Sequence, residues 1–208
     1  MRQAAGELPM PMEGKPSGTA RPSAPRRFAC LFALALACAT CGAAAQPQPR
    51  VASAASPEYA VKASYLYKLA LFIDWPPTEF ASPDAPFRVC VAGEDPFGDF
   101  LKDAVAGRSL GTHPFQVQLV ALAPATDCQI LFLGRLSRKR ASQALAAVAG
   151  KPVLTVVDSA TPYSGGIVQF VVDRGRVRFQ IDTVAAARNH ITISSKLLNL
   201  ALAVTDRP

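Results

Sequence analysis

Histidine, tryptophan and charge are scarce in this chain. Two histidines, His113 and His190, and a single tryptophan occur among 208 residues. With so few imidazoles, no His-x-x-x-His pair and no Cys-x-x-Cys beyond residue 41, a dedicated zinc site is not expected. The Asp-x-Asn/Asp-x-Asp-Gly order of a calcium loop is missing too, so Asp95, Asp99 and Asp103 read as one solvated helix face. Tyr163-Ser164-Gly165-Gly166 lacks the Gly-x-Ser-x-Gly elbow that presents a catalytic serine, and the sequence ties neither histidine to it. The stretch from Val91 to Gly98 has the outline of a phosphate-binding turn. Its acids, Glu94 and Asp95, stand where a pyrophosphate needs bare amides and would repel it. No catalytic residue, metal or cofactor is therefore expected.

Charged residues are 18% of the chain and hydrophobic residues 50%, a balance that excludes a disordered, collagen-like or coiled-coil polypeptide. The length suits one ordinary domain plus a processed segment and leaves no room for two large domains. The formal charge is +7, but Arg2, Lys15, Arg21, Arg26 and Arg27, against Glu7 and Glu13, precede Phe28, so part of the excess sits in the leader described next. Together with the lack of interleaved exposed aromatics, this disfavours a nucleic-acid partner.

Residues 1–45 read as an N-terminal extension and signal peptide. Arg26-Arg27 precede an unbroken apolar run from Phe28 to Cys38, and Ala43-Ala44-Ala45 offers a small-residue exit, with cleavage expected between Ala45 and Gln46. The rival reading is a membrane anchor, because Phe28 to Ala45 is about long enough to approach a bilayer's span. A lipid-attachment box does not fit, since Ala-Leu-Ala stands before Cys38. Cleavage would remove Cys30, Cys38 and Cys41 and leave Cys90 and Cys128, an even pair in an oxidising compartment. A disulfide between them is the expectation; two inert buried thiols are the alternative.

Residues 46–57 read as a linker and 58–205 as the folded domain. Ser56-Pro57-Glu58 caps a helix whose apolar positions Ala63, Leu66, Tyr67 and Ala70 keep helical spacing up to Trp75-Pro76-Pro77. Strands are expected at 87–92, 115–120, 128–133 and 153–157, alternating with helices at 97–105 and 137–148. Ile167–Val172 and Val177–Ile181 flank Asp173-Arg174-Gly175-Arg176, which is hairpin chemistry. A last helix capped by Ser194 or Ser195 should dock Leu197, Leu198, Leu200 and Leu202 on the core. The predicted class is α/β: a three-layer sandwich whose mixed, mostly parallel central sheet ends in an antiparallel hairpin.

Basic clusters occur at Arg135, Arg138, Lys139 and Arg140 and along Arg174, Arg176 and Arg178, where an anion or acidic partner competes with plain solvation. Arg188-Asn189-His190 is a polar trio that either holds an anion or partner or closes a turn.

Several stretches together resemble the YfiR-like family of exported bacterial proteins. They are Val61-Lys-Ala-Ser-Tyr-Leu-Tyr-Lys-Leu-Ala with Trp75-Pro76; Val89-Cys-Val-Ala-Gly-Glu-Asp-Pro-Phe-Gly; Gly150-Lys-Pro-Val-Leu-Thr-Val; Gly165-Gly-Ile-Val-Gln-Phe; and Ile191-Thr-Ile-Ser-Ser-Lys-Leu-Leu. The resemblance implies a periplasmic, non-enzymatic domain, often a homodimer. Such a domain would restrain an inner-membrane diguanylate cyclase through its periplasmic region, lowering cyclic di-GMP and biofilm formation. An OmpA-like outer-membrane lipoprotein could sequester it. The resemblance also places Cys90 and Cys128 where members carry a disulfide, and Arg188, Asn189 and His190 at a partner-contacting turn. A second cysteine pair found in some members has no counterpart, since Tyr163 and Phe170 occupy that neighbourhood. The alternative function is a periplasmic small-ligand sensor acting on a histidine kinase or transporter, with its cleft at the carboxyl ends of the parallel strands.

Overall fold

The computed structural model describes residues 56–121 and 127–206. The leader, its cleavage point and nearly all of the linker lie outside the described residues. The elements run α1 (Pro57–Ala70), β1 (Ile73–Asp74), β2 (Phe87–Ala92), α2 (Asp99–Val105), β3 (Ser109–Leu110), β4 (His113–Val120), β5 (Ile130–Leu133) and α3 (Arg138–Ala147). They continue with β6 (Leu154–Asp158), β7 (Val168–Asp173), β8 (Arg176–Asp182), α4 (Thr183–Arg188), β9 (Thr192–Ile193), α5 (Ser195–Leu198) and β10 (Ala203–Thr205). Eight strands form one sheet in the order β10-β8-β7-β6-β5-β2-β4-β3. Pairing is parallel except at β7/β8 and β3/β4. The expected mixed, mostly parallel α/β sheet is what forms, and a small antiparallel pair, β1 with β9, is added beside it.

Alternation along the central strands sends side chains to two cores. Val89, Val91, Ile130, Phe132 and Val156 face α1 and α2, while Cys90, Leu131, Leu133 and Val157 face α3 through Ala141, Ala144 and Val148. Because both faces are covered, β5 and β6 are buried at every position, which explains why β5 is wholly apolar and why β6 is polar only at Thr155 and Asp158. By contrast, β4 shows period-two exposure over much of its length, with Phe115 and Val117 packed inward and Gln116 and Gln118 outward. Aromatic rings fill the α1 and α2 layer, including Phe97 against Phe132 at 4.7 Å and Phe87 against Phe115 at 4.8 Å between centroids.

Cys90 and Cys128 are joined, with Cα atoms 5.9 Å apart, so β2 is tied covalently to the chain entering β5. The β7–β8 hairpin turns through Arg174 (φ 48°) and Gly175 (φ 72°); two left-handed residues make the turn whose twist matches antiparallel strands.

Three expectations are corrected. The first helix stops at Ala70 and does not run on to Trp75: the indole Nε1 donates to the Ala70 carbonyl at 3.1 Å, and Ile73–Asp74 pairs with β9. The second helix begins at Asp99, because Asp95 makes a local turn in which its Oδ1 accepts from the Phe97 amide at 2.8 Å. The last helix is a single turn. Leu197 is buried, but Leu200 and Leu202 are 56% and 41% exposed, and the chain extends into β10 once the Leu202 amide donates to the Phe179 carbonyl at 2.8 Å. Backbone pairing with β8 outweighs the helical spacing of the leucines.

Candidate functional site

Ligands of open parallel sheets sit outside the carboxyl ends of the strands, where successive crossovers leave in opposite directions. Here that point lies between β2, whose crossover α2 leads to β4, and β5, whose crossover α3 leads to β6 on the opposite face. The crevice between the two strand ends is filled by backbone. Gly134 donates its amide to the Ala92 carbonyl at 2.8 Å, and Glu94 and Arg135 form an antiparallel bridge across the gap. A Cβ on Gly134 would lie 2.1 Å from the Glu94 carbonyl oxygen, which shows how closely the loops meet. Gly134→Ala should therefore cost about 1–3 kcal/mol as one loop is pushed aside, measured as a lower urea midpoint at unchanged m-value. An unchanged midpoint would mean the loops separate freely. Backbone thus closes this seam, and the concavity at the carboxyl ends of the parallel strands lies one strand over, between the segments after β5 and β6, lined by Arg135, Leu136, Ala160, Thr161 and Pro162.

Polar chemistry gathers instead at the carboxyl end of β6. Asp158 is 1% exposed, and its Oδ1 accepts from the Ala160 amide at 3.0 Å. Its Oδ2 accepts from the ammonium of Lys62 and, at 3.1 Å, from the Tyr59 hydroxyl. Lys62 is fully buried and also reaches Glu58, one helical turn earlier. Its Nζ lies 4.7 Å from the centre of the Tyr59 ring. Burial, with the Asp158 carboxylate second, pushes the Tyr59 phenol up to about 12, so it stays a donor at any physiological pH. Every donor in this group is aimed at a carboxylate, and its chemical effect is to compensate the buried Asp158 charge while fastening α1 to β6, with Glu58 sharing the same ammonium at the surface. Neighbouring Tyr163 works similarly: its hydroxyl donates to the Leu133 carbonyl at 2.8 Å and also contacts that of Gly134, bracing the loop after β5.

The polar trio is divided by the fold. Asn189 is buried; its Oδ1 accepts from the Gly150 amide at 3.2 Å and its Nδ2 donates to the Val153 carbonyl at 3.1 Å, locking the α3–β6 turn to the end of α4. Arg188 and His190 stand exposed on either side, with His190 in the left-handed region at φ 56°. His113 belongs elsewhere, stacked 3.6 Å from Phe80 with its Nδ1 2.7 Å from the Ala85 carbonyl. Arg135 comes within 3.9 Å of Glu94, both largely exposed, and Arg138, Lys139 and Arg140 remain on the surface of the first turn of α3.

Sequence reasoning missed Lys62, Asp158 and Tyr59. One signal was available: Lys62 falls in helical phase with Leu66 and Leu69, on the stripe that faces the core, whereas Val61 falls off it and is 45% exposed.

No described helix is long and apolar enough to cross a membrane. The family model described as YfiR/HmsC-like matches residues 59–202, from the first turn of α1 to the residue before β10. With that match spanning well over half its length, on a two-sided sheet pinned by Cys90–Cys128, the chain belongs to the YfiR/HmsC-like family.

Proposed function

We propose that this chain is an exported, non-catalytic regulator that binds the periplasmic region of an inner-membrane diguanylate cyclase and restrains it, lowering cyclic di-GMP and biofilm formation. The family match over residues 59–202 carries this reading, since the family is known for periplasmic regulators of diguanylate cyclases. The Cys90–Cys128 bridge suits an oxidising compartment, in agreement with a leader cleaved after Ala45. The internal use of Lys62, Asp158 and Tyr59 agrees with a protein that acts by contact.

In this reading the regulator binds the inactive conformation of the cyclase more tightly than the active one, and that difference in affinity is the control. Exposed Arg188 and His190, held by the inward Asn189, are contact residues; a homodimer is the working form, and an OmpA-like lipoprotein competes for it. Deleting the gene should raise cellular cyclic di-GMP about fivefold or more, the lower end of ordinary allosteric coupling, and a plasmid copy should reverse the rise. Unchanged nucleotide after deletion, with no complex between the purified chain and the periplasmic region of the membrane cyclase encoded beside it, defeats the reading.

A further inference from the structure

A groove of about 810 Å³ runs between α1 and the β7–β8 hairpin, on the sheet face that α1 only partly covers. Tyr65 lines its floor. Its walls hold three of the eight exposed large apolar side chains among the described residues, Val61 at 45%, Val172 at 50% and Leu200 at 56%. Leu200 is there because the last helix ends after one turn, so a leucine that a longer helix would have buried is presented outward. A cluster of this kind has a cost in water that only a partner removes.

The rim has a sign. Arg176 and Arg178 line the groove, and among the described residues neither guanidinium is paired with a carboxylate. Glu58, at the same groove, is already engaged by Lys62. Because Lys62 is shared with Asp158, Glu58 keeps part of its charge, and the two unpaired arginines outweigh it beside the apolar lining.

We propose that this groove docks an acidic amphipathic helix of a partner protein, laid alongside α1, with apolar side chains over Tyr65 and Leu200 and carboxylates against Arg176 and Arg178. Helices recognised in grooves present apolar anchors at i, i+3, i+4 and i+7, and flanking charge of opposite sign fixes their orientation and speeds encounter. The proposal deepens the regulator reading and rests on it for the partner being a protein.

The test uses the purified protein and a fluorescein-labelled helical peptide of about 18 residues, with leucines at that spacing and glutamates flanking them, against a twin carrying lysine for every glutamate. The acidic peptide should bind at least about tenfold more tightly than its twin, and added salt should narrow the difference. Leu200→Asp should weaken it by about tenfold or more, and the double variant Arg176→Glu with Arg178→Glu should reverse the preference. Leu119→Asp, at a residue 62% exposed on β4, should leave binding unchanged. Leu119, Arg176 and Leu200 are exposed and Arg178 is half-buried, and an unchanged urea midpoint verifies folding of each variant. Equal affinity for the two peptides, no binding of either, or no effect of Leu200→Asp overturns the proposal. Because no cyclase is involved, a negative deletion result removes the regulator reading while these affinities still decide the groove.

Discussion

Lys62→Ala should lower the unfolding free energy by about 3–5 kcal/mol, the usual cost of breaking a buried ion pair by removing one partner. The truncation leaves Asp158, 1% exposed, with its negative charge facing only the Tyr59 hydroxyl and the Ala160 amide. It also empties the space of a fully buried side chain, and both effects act at the point where α1 meets β6. Urea unfolding of the single variants and of Lys62→Met with Asp158→Leu separates the contributions. The double variant should recover much of the loss, because two apolar side chains of similar volume leave no unpaired charge. Tyr59→Phe removes one hydrogen bond to the same carboxylate and should cost about 1–3 kcal/mol. A loss below about 1 kcal/mol for Lys62→Ala would mean that water reaches Asp158 and that the pair is not a fastening.

The second large effect is expected from Cys90→Ala with Cys128→Ala. The bridge closes a loop with a sequence separation of 38, for which chain entropy in the unfolded state gives about 4 kcal/mol. That is a large share of the about 5–15 kcal/mol by which domains are stable. Alanine is the informative replacement because both positions are buried, at 0% and 3% exposure, and a serine hydroxyl there would confound the result. The same burial predicts that reductant without denaturant leaves the native bridge intact, and that thiol labelling follows only once the chain unfolds. Mass spectrometry of alkylated samples reads this directly. A variant that keeps the parent's urea midpoint, or thiols that label in the native state, would contradict it.

How much was legible in the sequence depended on how local each cause was. The central strands could be read because burial on both faces turns them into continuous apolar runs, as in Ile130–Leu133. The hairpin could be read because Arg174-Gly175 sits between two alternating segments. Elements decided by distant pairing could not. Leu200 and Leu202 keep helical spacing, yet β8, some twenty residues earlier, claims the backbone for β10. Ile73–Asp74 is a strand only because Thr192–Ile193 lies beside it. Helix α4 was legible and overlooked: Asp182 precedes an alanine-rich run and its Oδ1 accepts from the Ala185 amide at 2.8 Å. At the site, Lys62 shares the helical phase of Leu66 and Leu69, but it follows Glu58 by four residues, a spacing that reads as an ordinary surface pair and masks that phase. Its burial depends on Asp158, 96 positions away. Asn189 likewise reads as a turn residue until Gly150 and Val153 are seen to be its partners.

The join between β2 and β5 is stitched twice, by the Cys90–Cys128 bridge low on the strands and by the Glu94–Arg135 contact beyond their tips. Left and right halves of the molecule consequently cannot shear or gape along that line. In the proposed regulator, a contact made on one flank would therefore reach the other only through movement of the sheet as one block.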